Sequence, residues 1–234
     1  MRINKFLRES GLCSRREADR LVEEGRVTIN NVTAQAGDRV DDADRVCVDG
    51  RPVQRVKEKS YYRYYKPRGV VCTFEEREPD NLGAHLDLAE RVTYAGRLDR
   101  DSEGLLLLTN DGDLIDALMH ARSGHEKEYV VEVDRSISDE ALSAMEGGLY
   151  LSEIRAFARP CRTERIDATS FRIVLTQGMN RQIRRMCKEV GCRVTRLSRV
   201  RIANLLLKDL QPGEVAALTE EEIHDLKEIL YRRD

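Results

Sequence analysis

The sequence predicts an α+β fold with a small N-terminal domain and a larger body. Apolar residues recur at helical spacing near the N-terminus, short β segments follow, and the body mixes strand-like runs with amphipathic helices. The chain has 234 residues, enough for one large or two small domains with a buried core. We place the domain boundary after residue 58, which gives domains of residues 1–58 and 59–234.

Two short helices open the N-terminal domain. Apolar residues at positions 3–7 share one helical face before Gly11, and residues 14–17 form a capping box for a second helix. Short β segments at 27–30 and 45–48 complete the domain. Its overall charge is nearly balanced, yet several arginines decorate the helix pair and indicate an RNA-binding surface: Arg8, Arg15, Arg16, Arg20 and Arg26.

The body begins with a strand rich in tyrosine. Residues 61–65 alternate aromatic and basic side chains, which fits a strand with one buried face or a surface that stacks on RNA bases. A turn follows at residues 66–69. Further strands are predicted over residues 105–109, 129–133 and 171–176.

An amphipathic helix is predicted after the turn at residues 177–180, with Asn180 as its N-cap. Apolar residues follow at i, i+3, i+4 and i+7 from Ile183 to Val190. Arg184 lies at the border of this apolar stripe, from which an arginine can reach into a cleft. A capping box at residues 219–222 opens a final helix.

Charge is unevenly distributed, although the net charge is only −2. Residues 172–208 contain ten basic residues and one acid, whereas residues 209–234 contain eight acids and three bases. A solvated helix face is the ordinary explanation of a charge run. Ten bases against one acid nevertheless favour binding to RNA or DNA.

Several classes of function lack support in the sequence. The six cysteines form no C-x-x-C pair and the four histidines show no ligand spacing, so we expect reduced cysteines and no metal. No phosphate-binding or dinucleotide-binding glycine motif is present, nor is Gly-x-Ser-x-Gly. No apolar run approaches the ~18 residues of a membrane helix, and the N-terminus lacks a secretion signal, which favours the cytoplasm.

Residues 96–113 are the segment that could carry chemistry. The acids from Asp99 to Glu103 resemble the start of a calcium loop, but Asn110 stands where that loop needs a glutamate. What remains is Asp99 between two arginines, just before an apolar strand. From the residues alone, an aspartate here is more often a turn former than a catalytic group.

Residues 96–105, with the sequence GRLDRDSEGL, resemble the catalytic motif of the RsuA/RluB/RluE/RluF family of pseudouridine synthases. Residues 66–69 (KPRG), 127–129 (KEY) and 178–186 (GMNRQIRRM) match further motifs of this family in the same order. Residues 125–129 and the Gln177 turn look most like the RluF branch. The resemblance implies an S4-type RNA-binding domain, followed by a catalytic domain with a mixed, mostly antiparallel sheet flanked by helices.

The resemblance also implies roles for individual residues. Asp99 matches the aspartate that attacks the target nucleotide, and Arg184 matches the arginine that pairs with it and favours its ionised form. Tyr129 matches a tyrosine that lies against the target base and takes part in proton transfer; without the motif it is an ordinary strand aromatic. Leu197 matches an aliphatic residue on the uracil ring, and it fits a core strand equally well.

The implied reaction converts uridine to pseudouridine in ribosomal RNA and needs no cofactor. Large-subunit (23S) rRNA is the expected target; small-subunit rRNA, a tRNA or a non-catalytic RNA-binding role stay open. We expect a monomer without membrane attachment. Further predicted substrate contacts are Lys66, Arg97, Arg181 and Arg185, and predicted RNA contacts of the N-terminal domain are Arg2, Lys5, Arg15, Arg16 and Arg20.

Overall fold

A computed structural model describes residues 1–13, 15–55, 58–119 and 124–232. The contacts within it divide the chain into two compact units. One unit contains residues 1–60, 89–93 and 109–113, and the other contains residues 61–88, 94–108 and 114–234. The predicted domain boundary after residue 58 stays a prediction, because a division by contacts does not show which segment folds alone.

The first unit packs two helices with a small sheet. Its elements are α1 (Ile3–Glu9), α2 (Arg15–Glu23), β1 (Val27–Ile29), β2 (Val32–Thr33), β3 (Val46–Val48) and β4 (Arg51–Val53). The strands are antiparallel in the order β2-β1-β3-β4. Ile3, Leu7 and Ala18 are buried in its core, as their helical spacing predicts. Ser14, the predicted capping residue, lies outside the described residues.

The rest of the chain builds a large sheet, a separate two-stranded sheet of β9 and β10, and several helices. The strands are β5 (Tyr61–Lys66), β6 (Thr93–Ala95), β7 (Glu103–Thr109), β8 (Lys127–Val133), β9 (Tyr150–Leu151), β10 (Ala156–Phe157), β11 (Arg162–Arg165), β12 (Ser170–Leu175), β13 (Val194–Ile202), β14 (Leu205–Leu206) and β15 (Val215–Ala217). The helices are α3 (Leu82–His85), α4 (Gly112–Met119), α5 (Asp139–Glu146), α6 (Gln182–Glu189) and α7 (Glu220–Tyr231), with one 3₁₀ turn at Ser152–Ile154.

The large sheet is mixed and mostly antiparallel. Its strand order is β11-β12-β8-β13-β7-β5-β15, with β14 beside β13 and β6 beside β7. Strands β13 and β7 run parallel, whereas β8 pairs antiparallel with both of its neighbours, β12 and β13. This arrangement confirms the predicted fold class.

Burial follows the apolar pattern of the sequence. Leu105–Leu108 of β7 are fully buried, as expected for an uninterrupted apolar run in the middle of a sheet. Ile183, Met186 and Cys187 of α6 are buried in a cluster with β8 and β12, which confirms the predicted helix face. None of the described helices combines the length and apolar character needed to cross a lipid bilayer.

The two predicted caps of the body differ in outcome. The capping box at the start of α7 is present, with Thr219 and Glu222 exchanging hydrogen bonds. Asn180 is wrong as the N-cap of α6. Arg181 occupies that position in a left-handed conformation with φ 51° and no side-chain cap, while the Asn180 side-chain oxygen accepts a hydrogen bond from Arg185.

The parallel pairing of β13 with β7 depends on the glycine at position 104. Gly104 has φ +102° and lies opposite Arg199 in the register of the two strands. A Cβ atom at this position would lie 2.3 Å from the carbonyl oxygen of Arg199, a separation that backbone atoms cannot relieve without moving the strand. The two backbones therefore approach each other closely only because residue 104 has no side chain.

A buried ion pair attaches α7 to β5. The guanidinium of Arg63, which is 3% exposed, donates to Glu222 and to the carbonyl oxygen of Leu206. Burial disfavours the charged carboxylate, but hydrogen bonds from Arg63, Lys208 and the Thr219 amide outweigh it and lower the pKa of Glu222 to about 2. Part of the acidity of the C-terminal segment therefore neutralises bases of the sheet.

We expect Gly104→Ala to destabilise the fold by about 3 kcal/mol or more, because it combines backbone strain with a clash against β13. Gly213→Ala is the matched control: Gly213 has φ +93°, but nothing lies within 4 Å of its Cβ position. Strain alone predicts a loss of about 1 kcal/mol there. Urea unfolding measures both variants, and equal losses would contradict the close approach.

We expect Glu222→Gln to lower the free energy of unfolding by about 2 kcal/mol at pH 7. The folded-state pKa of Glu222 is depressed from 4.5 to about 2. Its contribution is therefore complete above pH 4.5 and is lost as the pH falls toward 2. The difference between wild type and variant in urea unfolding should be constant from pH 8 to ~5 and shrink below that. Glu221→Gln, which removes the exposed neighbouring carboxylate, should change stability by less than about 0.5 kcal/mol.

Candidate active site

A cavity of about 710 Å³ lies beside strands β8 and β13, the loop before β7 and the start of α6. All of its lining residues belong to the second unit. The structure brings five of the predicted site residues to its wall: Arg97, Asp99, Tyr129, Arg181 and Leu197. A cavity of this size is in the usual range for a small-molecule site and accommodates a single nucleotide.

Asp99 lies in the loop between β6 and β7, and the neighbouring turn holds this loop firmly. The Ser102 amide donates to the Asp99 carbonyl oxygen at 3.1 Å, which closes a tight turn. Arg100 donates to the Gly69 carbonyl at 3.1 Å and to Asp80 at 2.6 Å, while the Gly69 amide donates back to the Arg100 carbonyl at 2.7 Å. The Asp99 side chain stays 35% exposed, so its carboxylate remains accessible from the cavity.

Lys66 stabilises the turn that follows β5, and its predicted contact with substrate stays a prediction. Its side chain is fully buried, and its ammonium donates to the carbonyl oxygens of Pro67 and Val70, both at 2.8 Å. Burial lowers the pKa of Lys66 to about 8, against the raising effect of nearby acids. The lysine therefore supports the turn that carries the Asp99 loop, from a position outside the cavity wall.

Asp101 joins the same loop to α6 through two arginines. Both guanidinium nitrogens of Arg181 donate to the two Asp101 carboxylate oxygens at 2.9 Å, the paired geometry that is strongest for arginine and carboxylate. Nη1 of Arg181 also lies 3.8 Å from the Asp99 carboxylate. Hydrogen bonds from Arg181, and the charge of Arg184 beside it, hold the pKa of Asp101 below its usual value.

The predicted ion pair between Arg184 and Asp99 is wrong in this structure. Arg184 instead contacts Asp101, with Nε 3.4 Å from the carboxylate and Nη2 donating to the Asp101 carbonyl at 2.9 Å. Arg181, the left-handed residue directly before α6, is the arginine that lies within 4.0 Å of the Asp99 carboxylate instead. Asp101 was not predicted as a site residue from the sequence, because its two-residue spacing from Asp99 was considered only as part of a calcium loop.

Tyr129 and Leu197 lie on neighbouring strands at the cavity. Tyr129 of β8 is half-buried and lies opposite Arg199 of β13, while Leu197 lies opposite Val131. Leu197 is buried in the apolar cluster and also lines the cavity, and its packing on the uracil ring stays a prediction. Side chains of directly opposed residues share a face of the sheet, which places Tyr129 and Arg199 side by side.

Arg97 and Arg185 were both predicted to contact substrate, and they lie in different surroundings. Arg97 is exposed at the cavity wall, where a substrate contact stays a prediction. Arg185 lies outside the wall, with Nε 3.1 Å from the Glu153 carboxylate and Nη1 donating to the Asn180 side chain at 2.9 Å. Its side chain joins α6 to the 3₁₀ turn, and the predicted substrate contact stays a prediction.

The predicted RNA contacts of the N-terminal unit also differ. Arg2 and Arg16 are exposed. Lys5 is 2.8 Å from Asp113, and Arg20 lies between Glu17 at 2.5 Å and Glu24 at 3.7 Å, so these two charges are partly neutralised. The side chain of Arg15 lies outside the described residues.

The basic segment of residues 172–208 is largely neutralised by folding. Within the described residues, nine of its ten bases have a carboxylate oxygen within 4.0 Å, contributed by other parts of the chain. The charge count therefore overstates the free positive surface of this segment. The tenth base is Arg199, which lines the cavity.

Two families of known proteins match this chain. Residues 60–189 match the family model described as RNA pseudouridylate synthase, and residues 1–46 match the S4 domain. These matches confirm the two domain types that the motifs predict.

Named relatives align with nearly the whole of this chain. It is 42% identical over 98% of its length to the "Dual-specificity RNA pseudouridine synthase RluF" of Salmonella typhi, covering 79% of that protein. It is 33% identical to the "Ribosomal large subunit pseudouridine synthase B" of Bacillus subtilis, with 97% of this chain and 95% of that one aligned. It is 34% identical to the "Ribosomal small subunit pseudouridine synthase A" of Yersinia pestis, with 95% of this chain and 97% of that one aligned.

A solved structure shares the fold from end to end. The crystal structure of a pseudouridylate synthase superimposes with a TM-score of 0.72 at 26% identity, covering 97% of this chain and 99% of that one. Fold, cavity, family match and relatives agree. The chain belongs to the RNA pseudouridylate synthase family, with an S4 domain at its N-terminus, and is a pseudouridine synthase of the group that includes RluF, RluB and RsuA.

Proposed function

We propose that this enzyme isomerises a specific uridine of large-subunit (23S) ribosomal RNA, with Asp99 as the nucleophile. The observation that carries the proposal is the placement of Asp99 at the wall of a nucleotide-sized cavity that Tyr129 and Leu197 also line. An isomerisation exchanges a carbon–nitrogen bond for a carbon–carbon bond, so the reaction needs neither an oxidant nor an energy source. No cofactor enters the proposal.

The surroundings of Asp99 suit a nucleophilic carboxylate. Its side chain is partly exposed to the cavity, and the Arg181 guanidinium at 3.8 Å supplies a positive charge beside it. The carboxylate attacks the nucleotide, the uracil detaches from the ribose, turns, and rejoins through carbon 5. Because Arg181 also binds Asp101, it is anchored while it faces Asp99, and the charge next to the nucleophile stays in place.

Tyr129 and Leu197 would hold the target base. Tyr129 presents a half-buried ring on β8, and Leu197 presents an apolar side chain on β13. A uridine within folded RNA reaches such a cavity only after it leaves its stack, at an expense of a few kcal/mol. We propose that Tyr129 lies against the base and takes part in proton transfer, and that Leu197 packs on the uracil ring.

The RNA target and the cellular setting are further parts of the proposal. The relatives include a dual-specificity enzyme, a large-subunit enzyme and a small-subunit enzyme, so their names support RNA as substrate and leave its identity to experiment. We propose that residues 1–58 bind RNA as a separate S4 domain. We also propose that the enzyme works in the cytoplasm as a monomer.

We expect wild type to release tritium from carbon-5-labelled uridine in protein-free 23S rRNA, and Asp99→Asn to release none above background. The amide keeps the shape of the side chain but cannot act as the carboxylate nucleophile. Gel-shift affinity for the same RNA should change by less than about 3-fold, since the substitution leaves the basic surfaces intact. Asp139→Asn is the control, because this exposed carboxylate on α5 pairs with Arg165 outside the cavity.

Parallel reactions with 16S rRNA and bulk tRNA identify the substrate. Release from 23S rRNA alone, at one mapped uridine, supports the proposed target. Release from another RNA moves the target but leaves the nucleophile in place. Release by Asp99→Asn at the wild-type rate would refute the assignment of Asp99.

A further inference from the structure

Arg199 differs from every other base in the segment of residues 172–208. Nine of those bases lie within 4.0 Å of a carboxylate, whereas no carboxylate among the described residues lies that close to Arg199. Its side chain is also one of the most buried in the protein, at 2% exposure. The guanidinium thus carries a buried positive charge without an opposing charge.

The hydrogen bonds of Arg199 are incomplete. Nε donates to the Leu105 carbonyl at 2.8 Å, which fixes the direction of the guanidinium. Nη2 is buried and has no partner among the described residues. A buried charged donor without a hydrogen-bond partner is strongly unfavourable. We therefore expect a bound ligand to supply the acceptor for Nη2.

Lys127 stands beside Arg199 and adds a second positive charge. Its ammonium makes one long hydrogen bond, 3.4 Å, to the His125 carbonyl. Burial lowers the pKa of Lys127, and the charge of Arg199 lowers it further. Nε2 of His125 is likewise buried without a partner in the described part of the chain. Arg199, Lys127 and His125 all line the catalytic cavity, and we call them the basic cluster.

The position of the basic cluster indicates which part of a nucleotide it meets. Arg199 lies opposite Tyr129 across the β8–β13 pair, and Leu197 is two residues along the same strand. These are the two residues proposed to hold the uracil ring. By contrast, the arginines of the cavity wall that are exposed to solvent, where a phosphate backbone would lie, are Arg97, Arg100, Arg159 and Arg181.

We propose that Arg199 and Lys127 bind the carbonyl oxygens of the flipped uracil and stabilise the negative charge that the base carries when it detaches from ribose. The inference rests on the proposed function and assigns a further catalytic role within the same cavity. Donors that are fixed in advance, in a site shielded from water, are the most effective stabilisers of charge that develops during a reaction.

The electron count gives the reason for a cationic site. When the C1′–N1 bond breaks, its electron pair leaves with the base, and N1, O2 and O4 share the negative charge. After the base turns, carbon 5 forms the new bond to C1′ and displaces the Asp99 carboxylate, so the bond between C1′ and the carboxylate oxygen breaks and the nucleophile is regenerated. The proton on carbon 5 then departs and N1 takes up a proton. The negative charge on the base exists only between the breaking of the C1′–N1 bond and the formation of the bond from carbon 5 to C1′. A cluster that binds this charge therefore lowers the barrier without tightening the binding of RNA.

The test compares Arg199→Met and Arg199→Lys with wild type in single-turnover tritium release at saturating rRNA. We expect the rate to fall about 100-fold in Arg199→Met, the usual effect of removing one such donor. Arg199→Lys should recover part of this loss, and the Kd for RNA should stay within about 3-fold of wild type in both. Arg63→Met is the matched control, since Arg63 is buried too but pairs with Glu222 away from the cavity. It should lower stability and leave the rate of the folded enzyme unchanged.

Chemical rescue separates a role in catalysis from one in structure. Millimolar guanidinium chloride should restore part of the single-turnover rate of Arg199→Ala, and the restored rate should level off as the guanidinium concentration rises. Sodium chloride at the same ionic strength should not restore the rate. Lys127→Met provides a second variant in case the Arg199 variants do not fold. It should reduce the single-turnover rate about 10-fold, with unchanged RNA affinity.

Each result bears on the inference separately from the proposed function. Wild-type rates in folded Arg199→Met and Lys127→Met would overturn the inference while leaving Asp99 as nucleophile. In a second outcome, the Arg199 and Lys127 variants show a raised Kd for RNA and a salt dependence of that affinity whose slope falls by about one, with the rate at saturating RNA unchanged. This result would assign the basic cluster to a backbone phosphate and would also overturn the inference. No tritium release by wild type on any RNA is the failure of the proposed function itself.

Discussion

The paired hydrogen bonds between Arg181 and Asp101 are the interaction on which the candidate active site depends. They join two parts of the chain that are 80 residues apart, the loop before β7 and the start of α6. Arg184 holds the same loop from the next turn of the helix, through the Asp101 carbonyl and the Ser102 hydroxyl. Together these contacts fix the position of Asp99 in the cavity and keep a positive charge next to it. The remaining supports, from the Lys66–Gly69 turn, hold the other side of the loop.

The sequence predicts those features of the fold whose causes are local. The apolar run at Leu105–Leu108 predicts a buried strand, the spacing from Ile183 predicts the buried face of α6, and Thr219 with Glu222 predicts a capping box. All three are present. The cap of α6 was predicted wrongly because asparagine is the commoner capping residue, whereas the chain here begins the helix from a left-handed arginine.

The pairing of side chains within the site was harder to predict. The three motif residues Asp99, Tyr129 and Leu197 line one cavity, but the motif resemblance assigns Arg184 to Asp99 where folding brings Arg181 closer. Two arginines three residues apart lie on the same side of a helix, so the residue pattern alone does not specify which of them reaches a given carboxylate.

The distribution of charge shows a similar difference between sequence and structure. A count along residues 172–208 suggests a broad basic surface, yet most of these bases meet carboxylates from distant strands. What folding leaves unneutralised within that segment is Arg199, inside the cavity. The base that folding leaves without a carboxylate thus lies at the wall of the cavity, an arrangement that is seen in the three-dimensional contacts and not in the composition.

A double-mutant cycle on Asp101 and Arg181 tests most directly whether their contact positions the nucleophile. The variants Asp101→Asn, Arg181→Met and their combination are compared with wild type in single-turnover tritium release at saturating rRNA. If the pair acts as a unit, the combined variant is little slower than either single variant, with a coupling energy of about 1.5 kcal/mol or more. Losses that add within about 0.5 kcal/mol would show that the two residues act independently and would contradict the account.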